Sequence, residues 1–266
     1  MKLNQMKSVL IASLFEAGDI LKKNRHKPKK IEKKGVINLV TQVDKAAEQA
    51  IIRKIRKAFP SHAILAEESG AQRQNGSSFR WIIDPLDGTT NYAHNLPVSS
   101  VTIAFEAEGT VLLGGVYDPL REELFFAEKG KGAFLNRKRI RVSQTKKLED
   151  ALLCTGFPYD RRNNPDQYLK IFREFLMTAQ ELRRLGSAAL DLSYVACGRL
   201  DGYWEFKLQP WDKAAGLLLV QEAGGKMTDL SGDAVTLTGI QNVATNGLIH
   251  SEMLRILKPF RNTCLD

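Results

Sequence analysis

The chain has 266 residues, 43% hydrophobic and 26% charged, which is enough for one large domain or two intimate halves with true cores. Its longest apolar runs, such as 214–220, fall far short of the ~20 residues that cross a bilayer as a helix. The net charge of +9 is concentrated in residues 22–34, where eight Lys or Arg face only Glu32, a local +7 that leaves +2 for the rest.

In chain order, Leu3, Met6, Leu10, Leu14, Ala17 and Leu21 recur at helical spacing and predict a helix over residues 3–24. Glu16 and Asp19 interrupt its apolar character and no small-residue cleavage site follows, so it reads as an amphipathic helix and not a signal peptide. The basic stretch comes next. It would attract phosphate, small or polymeric, although a solvated loop is its plainest reading. A second helix is expected over 41–58, with Val43, Ala47, Ala50, Ile51 and Ile55 inward and Pro60 just past its end.

Short apolar runs at 63–66, 81–84, 98–105, 111–117 and 123–127 then predict strands bounded by Gly, Pro or Asp. Strands in quick succession after two helices suggest an antiparallel-rich α+β half over residues 1–145. Residues 146–266 alternate differently. A strand at 151–156 precedes a helix at 165–178 with Tyr168, Ile171, Phe172, Phe175 and Leu176 on one face. A helix at 187–197, a strand at 202–205 and a helix at 212–223 stopped by Gly224-Gly225 complete an α/β half. Cys154, Cys197 and Cys264 are far apart and odd in number, which fits a reducing cytoplasm better than a disulfide framework. The four histidines are equally scattered and give no zinc spacing.

The densest chemistry lies in residues 81–91, WIIDPLDGTTN. Ile82-Ile83 reads as the buried end of a strand. Pro85 fixes its own φ and presses Asp84 toward an extended conformation. Gly88 permits a tight reversal, after which Thr89-Thr90-Asn91 open a short helix. Such a turn can bring Asp84, Asp87 and the Leu86 carbonyl around one hard cation, and oxygen-only donors suit Mg²⁺. The amides of Gly88, Thr89 and Thr90 fall where a helix begins and phosphate oxygens bind. Asp-Pro and Asp-Gly are also ordinary turn dipeptides. Glu67 and Glu68 close a predicted strand, and Asp44 and Asp212 stand at predicted helix starts. Singly, the first two read as a solvated strand end and the last two as helix caps.

Together, VTQVD at 40–44, EES at 67–69, WIIDPLDGTTN at 81–91, RRLGSAALDL at 183–192 and QPWDKAAG at 209–216 resemble the inositol monophosphatase family. Order and separation match across nearly the full length. The resemblance implies a layered αβαβα sugar-phosphatase fold with mixed sheets, a homodimer, lithium sensitivity, and hydrolysis of a small phosphorylated polyol such as myo-inositol 1-phosphate. It also implies roughly two or three Mg²⁺ ions. Glu67, Asp84 and the Leu86 carbonyl would hold the first ion, Asp84, Asp87 and Asp212 a second, and a weaker third would lie near Glu67. Thr89, paired with Asp44, would orient or deprotonate the attacking water, and transfer would go directly to water.

By the same resemblance, substrate contacts fall on Leu86, Asp87, Gly88, Thr89 and Asp212, the phosphate being held by the Gly88 and Thr89 amides. The alcohol side maps onto Gly186, Ser187, Ala188 and Glu205, with Arg183 close by and Lys33 on a loop that closes over the metals. Gly186-Ser187-Ala188 also reads as tight helix entry with Ser187 as a cap, and Arg183-Arg184 as a subunit contact. Asn38 departs from the Asp common at its place in the family. Two other activities of the wider superfamily compete, on fructose 1,6-bisphosphate and on adenosine 3′,5′-bisphosphate. A non-enzymatic alternative is a partnership with the transcription machinery in ribosomal RNA synthesis, as in a bacterial branch of the family, to which the basic stretch and Arg183-Arg184 would contribute.

Overall fold

Helix α1 (Leu3–Asn24) forms as its spacing predicts and buries Met6, Leu10, Leu14, Ala17 and Leu21 on one side. The computed structural model describes residues 3–27, 31–33, 39–72 and 77–262, with 31–33, 39 and 40 as backbone only. The Lys33 side chain, Lys29, Lys30, Lys34, Asn38 and Cys264 therefore lie outside the described residues. A small hairpin, β1 (Ile31–Lys33) and β2 (Leu39–Thr41), leads into α2 (Gln42–Ala58). The predicted inward residues of α2, from Val43 to Ile55, are all buried.

An eight-stranded sheet follows, built from β3 (Ala63–Ala66), β4 (Gly70–Gln72), β5 (Phe79–Asp87), β6 (Ser100–Ala107), β7 (Thr110–Asp118), β8 (Glu123–Glu128), β9 (Gly132–Leu135) and β10 (Lys138–Arg139). Its order is β10-β9-β8-β7-β6-β5-β3-β4. Only β3 and β5 run parallel; every other neighbouring pair is antiparallel. The one-turn-and-a-half helix α3 (Thr89–Ala93) leaves the end of β5. The second sheet comprises β11 (Leu152–Thr155), β12 (Glu181–Arg183), β13 (Gly202–Phe206), β14 (Lys226–Thr228) and β15 (Gln241–Thr245), in the order β12-β11-β13-β15-β14. Between its strands the chain forms α4 (Pro165–Leu176), α5 (Ala188–Ala196) and α6 (Pro210–Glu222), and α7 (His250–Leu257) follows β15.

Packing stacks these elements in five layers. One core cluster joins α1 and α2 to one face of the large sheet through Leu10, Ile51, Trp81, Ile83 and Phe105. A second fills the space between the sheets, where Leu190, Leu192, Leu218 and Leu219 of α5 and α6 meet Ile82, Ala104, Val116 and Tyr203. A third lies on the outer face of the small sheet, where Ile171 and Phe175 of α4 and Met253 of α7 pack on Trp204 and Phe206. The order is helices, sheet, helices, sheet, helices, the αβαβα arrangement expected. Strands β5 and β6 are covered on both faces, so residues 81–86 and 100–106 are buried without alternation, polar ones included.

Several details depart from the sequence reading. Leu176 is 54% exposed and ends α4, instead of lying inward in a helix to residue 178. Helix α6 begins at Pro210, a residue suited to a first helical position, two residues before Asp212. Strands β1, β2, β4, β9, β10, β12, β14 and β15 and helix α7 have no counterpart among the predicted elements, β1 falling in the basic stretch expected to be a loop. All eight strands are five residues or fewer, too short for periodicity to mark them. Among the described residues, no helix is long and apolar enough to cross a membrane.

Candidate active site

The predicted turn is a break in a strand. Strand β5 pairs with β6 through Asp84, loses register, and resumes at Asp87 opposite Ser100. Pro85 has no N–H for the ladder, and a bulge is where a sheet tolerates proline. The Asp84 carboxylate folds back to accept from the Leu86 amide at 2.9 Å. Gly88 then adopts φ +89, and a Cβ there would stand 2.8 Å from the Val98 carbonyl oxygen, so glycine is required twice over. Asn91 staples this turn to a distant one, donating to the carbonyls of Val98 (3.0 Å) and Leu185 (2.8 Å).

Four helix starts meet here. At α2, the Asp44 carboxylate accepts from the Thr41 amide (3.0 Å) and hydroxyl (2.5 Å), closing a capping box. Its other oxygen accepts from the Thr89 hydroxyl at 3.2 Å, and that hydroxyl also lies 3.0 Å from the Leu86 carbonyl. At α6, Asp212 accepts from the Gln209 amide at 2.7 Å in a second capping box. Asp44 and Asp212 thus serve helix capping from the third helical position, the N-caps themselves being Thr41 and Gln209, and the same bonds orient both carboxylates.

At α5 the arrangement is reversed. Ser187 occupies the N-cap position but makes no capping bond. Its hydroxyl donates to Asp87 at 2.5 Å, and the Ala189 amide donates to the same Asp87 oxygen at 2.9 Å. Asp87, from a strand 100 residues earlier, thus supplies the acceptor that the helix start needs. Glu67 follows β3, its amide donating to the Ile83 carbonyl at 3.2 Å.

Asp84 is 2% exposed. Burial, followed by repulsion from Glu67, Asp87 and Asp212, pushes its carboxyl well above the ordinary range. Burial and then Asp87 push Asp212 up in the same way. Burial raises Asp87 against the opposing bonds of Ser187 and Ala189. No Lys or Arg among the described residues is ion-paired with Asp84, Asp87 or Asp212. Crowded, buried, mutually repelling carboxylates with oxygen donors only are a set that a hard divalent cation relieves. Glu67 and the Leu86 carbonyl extend the set. Among the described residues no group of three or more acids, histidines or cysteines is placed to hold a metal ion by itself; Asp87 and Asp212 line an open cleft, so a cation there would also meet substrate and water.

The cleft measures about 650 Å³. Asp87, Gly88, Thr89, Gly186, Ser187 and Ala188 line one end, and Asp212 and Glu205 stand beside them. Asp44, Glu67, Asp84 and Leu86 do not line the cleft; the Thr89 hydroxyl links Asp44 and the Leu86 carbonyl to it. In β13, Tyr203 and Glu205 point to the same face, and the Tyr203 hydroxyl donates to Glu205. Burial raises Glu205 to about 7, opposed by that bond and by nearby Arg184. Gly156 makes room for it, since a Cβ there would overlap the Glu205 carboxylate.

Arg183 does not line this cleft; its side chain is exposed and pairs with Glu181 at 3.5 Å. Arg184, the first residue beyond β12, lines the cleft instead. Phe157, Tyr159, Arg161 and Lys207 also line it, and none of them belongs to the motifs that mark the site in the sequence. They sit on loops after β11 and β13, which are parallel neighbours, and loops beyond the carboxyl ends of parallel strands commonly carry binding groups. The aromatic and basic run FPYDRR at 157–162, between a strand and a helix, is the sequence signal that points to them.

The comparisons with known proteins agree with this geometry. The chain is 46% identical over 233 residues to the Nus factor SuhB of Pseudomonas aeruginosa, covering 86% of each chain. It is 47% identical over 232 residues to the inositol-1-monophosphatase of Synechocystis, covering 87% of this chain and 81% of that one. The crystal structure of the suppressor protein SuhB from Bartonella henselae superposes with a TM-score of 0.92 at 40% identity, over 96% of this chain and 98% of that one. The family profile matches residues 2–261: with its bulged DPLDG turn, capped carboxylates and five-layered fold, the chain belongs to the inositol monophosphatase family.

Proposed function

We propose that this protein is a Mg²⁺-dependent phosphatase of small phosphate monoesters, with myo-inositol 1-phosphate as its first substrate to test. The observation that carries the reading is the convergence of Asp84, Asp87 and Asp212, each tied to a protein donor and none paired with a described base. These three, with Glu67 and the Leu86 carbonyl, would hold the ions. Bound Mg²⁺ supplies Lewis acidity, making a water nucleophilic near neutral pH and offsetting charge on the phosphoryl and leaving oxygens.

The chain's own groups do the rest. The Thr89 hydroxyl, donating to Asp44, presents its lone pairs to the cleft and accepts a hydrogen bond from the attacking water. This fixes the water's orientation and opens a route for its proton toward Asp44. The Gly88 and Thr89 amides hold phosphate oxygens as charge develops. Glu205 accepts hydrogen bonds from the polyol hydroxyls, and the Gly186–Ala188 turn bounds the ring. The P–O ester bond breaks, water supplies the new oxygen on phosphorus, and the freed alcohol takes a proton.

Purified protein with Mg²⁺ should release phosphate from inositol 1-phosphate, lithium should inhibit the release, and EDTA should abolish it. Absence of activity on any small phosphate monoester would reject the reading. A homodimer in the cytoplasm is the expected setting.

The relative named as a Nus factor supports a second reading, a partnership with the transcription machinery. The local +7 in residues 22–34 is the feature that would meet RNA. Asp87→Asn separates the two: a strain carrying it should lose phosphatase activity, and should keep normal ribosomal RNA synthesis only if the partnership does not need hydrolysis.

A further inference from the structure

Strand β11 ends at Thr155, and the chain continues along the cleft as Gly156-Phe157-Pro158-Tyr159. Phe157 is taken up by Tyr168 and Phe172, at ring centroid distances of 6.4 and 6.2 Å, and Pro158 is buried. The Pro158 carbonyl accepts from the Arg161 amide at 3.1 Å, closing a turn with Tyr159 at its second position. The next residue, Asp160, is tied to Lys207 on the loop after β13, Oδ2 to Nζ at 2.7 Å. The turn is braced on both sides of Tyr159, and Tyr159 is left out of the bracing. Its side chain is 57% exposed. Among the described residues its ring stacks on no other ring and its hydroxyl makes no hydrogen bond.

What Tyr159 is exposed to is the cleft. Of the large hydrophobic side chains exposed among the described residues, it alone lines the cleft; Phe206 and Leu208 line it too but are buried. The surrounding protein raises its phenol, and the charges of Glu67, Asp212, Asp87 and Asp84 raise it further, so the side chain is neutral and stands near the carboxylate end. Glu205 is close as well, since its carboxylate packs over Gly156, three residues before Tyr159. A cyclic polyol carries hydroxyls around its rim and C–H bonds across its faces. The rim needs acceptors such as Glu205. A C–H face needs an apolar wall, which an aromatic ring supplies with little side-chain freedom to lose.

We propose that Tyr159 is a specificity-determining residue, its aromatic face packing against the C–H face of a cyclic polyol whose hydroxyls donate to Glu205, so that phosphates of cyclic polyols are favoured over open-chain ones of the same charge. This rests on the reading of the Asp84–Asp87–Asp212 end as the place of hydrolysis. Tyr159 touches only the alcohol and takes no part in the exchange at phosphorus, so its effect falls on KM more than on kcat.

The test compares wild type, Tyr159→Phe and Tyr159→Ala on inositol 1-phosphate and on open-chain glycerol 2-phosphate, with Mg²⁺. Truncation at this exposed position removes no core contact. Tyr159→Ala should raise KM for inositol 1-phosphate about tenfold with kcat little changed, and should leave KM for glycerol 2-phosphate within about twofold. Tyr159→Phe keeps the ring and should restore the preference. Equal effects on both substrates, no effect of Tyr159→Ala, or a Phe variant as poor as the Ala variant would overturn the proposal. Contact is read separately by saturation-transfer NMR of inositol 1-phosphate in EDTA, where no turnover occurs. The ring C–H protons should be saturated through wild type and Tyr159→Phe, and should lose most of that signal with Tyr159→Ala. That pattern in a wild type that releases no phosphate from any monoester with Mg²⁺ rejects the hydrolytic reading and keeps the wall. Saturation indifferent to Tyr159→Ala in a wild type that does hydrolyse rejects the wall alone.

Discussion

Replacing Glu205 with Gln removes one ionisable group from the cleft and preserves its shape, including the acceptor for the Tyr203 hydroxyl. In the unfolded chain Glu205 ionises near its ordinary 4.5, whereas in the fold burial holds it protonated up to about 7. Between those values the folded protein binds more protons at this site than the unfolded one, so wild-type stability falls as pH rises through the window. A rise from 4.5 to about 7 corresponds to at most about 3 kcal/mol, and the residual exposure of Glu205 reduces this to about 2–3 kcal/mol. The Gln variant lacks this loss. Urea unfolding of both proteins at pH 5, 6, 7 and 8 in EDTA should therefore give curves that coincide near pH 5 and diverge above it. The variant should be more stable by about 2–3 kcal/mol at pH 8, or about 1 M in midpoint for a slope of about 3 kcal/mol per M. The remaining carboxylates are common to both proteins and cancel in the difference. Parallel curves across the range would refute the burial argument.

Three further substitutions test how the site is held. Ser187→Ala removes one of two donors from Asp87 and should raise the Mg²⁺ concentration for half-maximal activity about 10–100-fold, as loss of a supporting bond does at metal sites; an unchanged Mg²⁺ dependence would show that the bond does not position the ligand. Thr41→Ala opens the capping box and should cost about 1 kcal/mol of stability in chemical denaturation, while lowering kcat more than it raises KM because Asp44 loses its orientation; a change in KM alone would contradict the role given to Asp44. Gly156→Ala places a methyl where the Glu205 carboxylate sits, costing about 1–3 kcal/mol and raising KM for the polyol. Added to Glu205→Ala it should have little further effect on KM, since coupled sites are not additive, and independent effects would show that Gly156 acts elsewhere.

Much of the fold is legible in the order of the residues. The spacing of Leu10, Leu14, Ala17 and Leu21 marks a helix that buries those residues. The Asp84–Gly88 turn announces itself because proline and glycine restrict the backbone through their own covalent geometry, which needs no distant partner. The short strands β12, β14 and β15 are not visible in the same way, because a strand of three to five residues is specified by the neighbours it pairs with.

The site divides along the same line. Residue type and order along the chain determined which acids would gather, and the likeness to the family followed from them. Where each acid's second oxygen is tied, and which arginine enters the cleft, only the tertiary structure decided. Asp87 finds Ser187 and Ala189 a hundred residues away, because the small sheet and α5 close against the large one. Arg184 lines the cleft while Arg183 pairs with Glu181, because β12 ends at Arg183 and the chain leaves the strand there, a turn that the order of residues does not show.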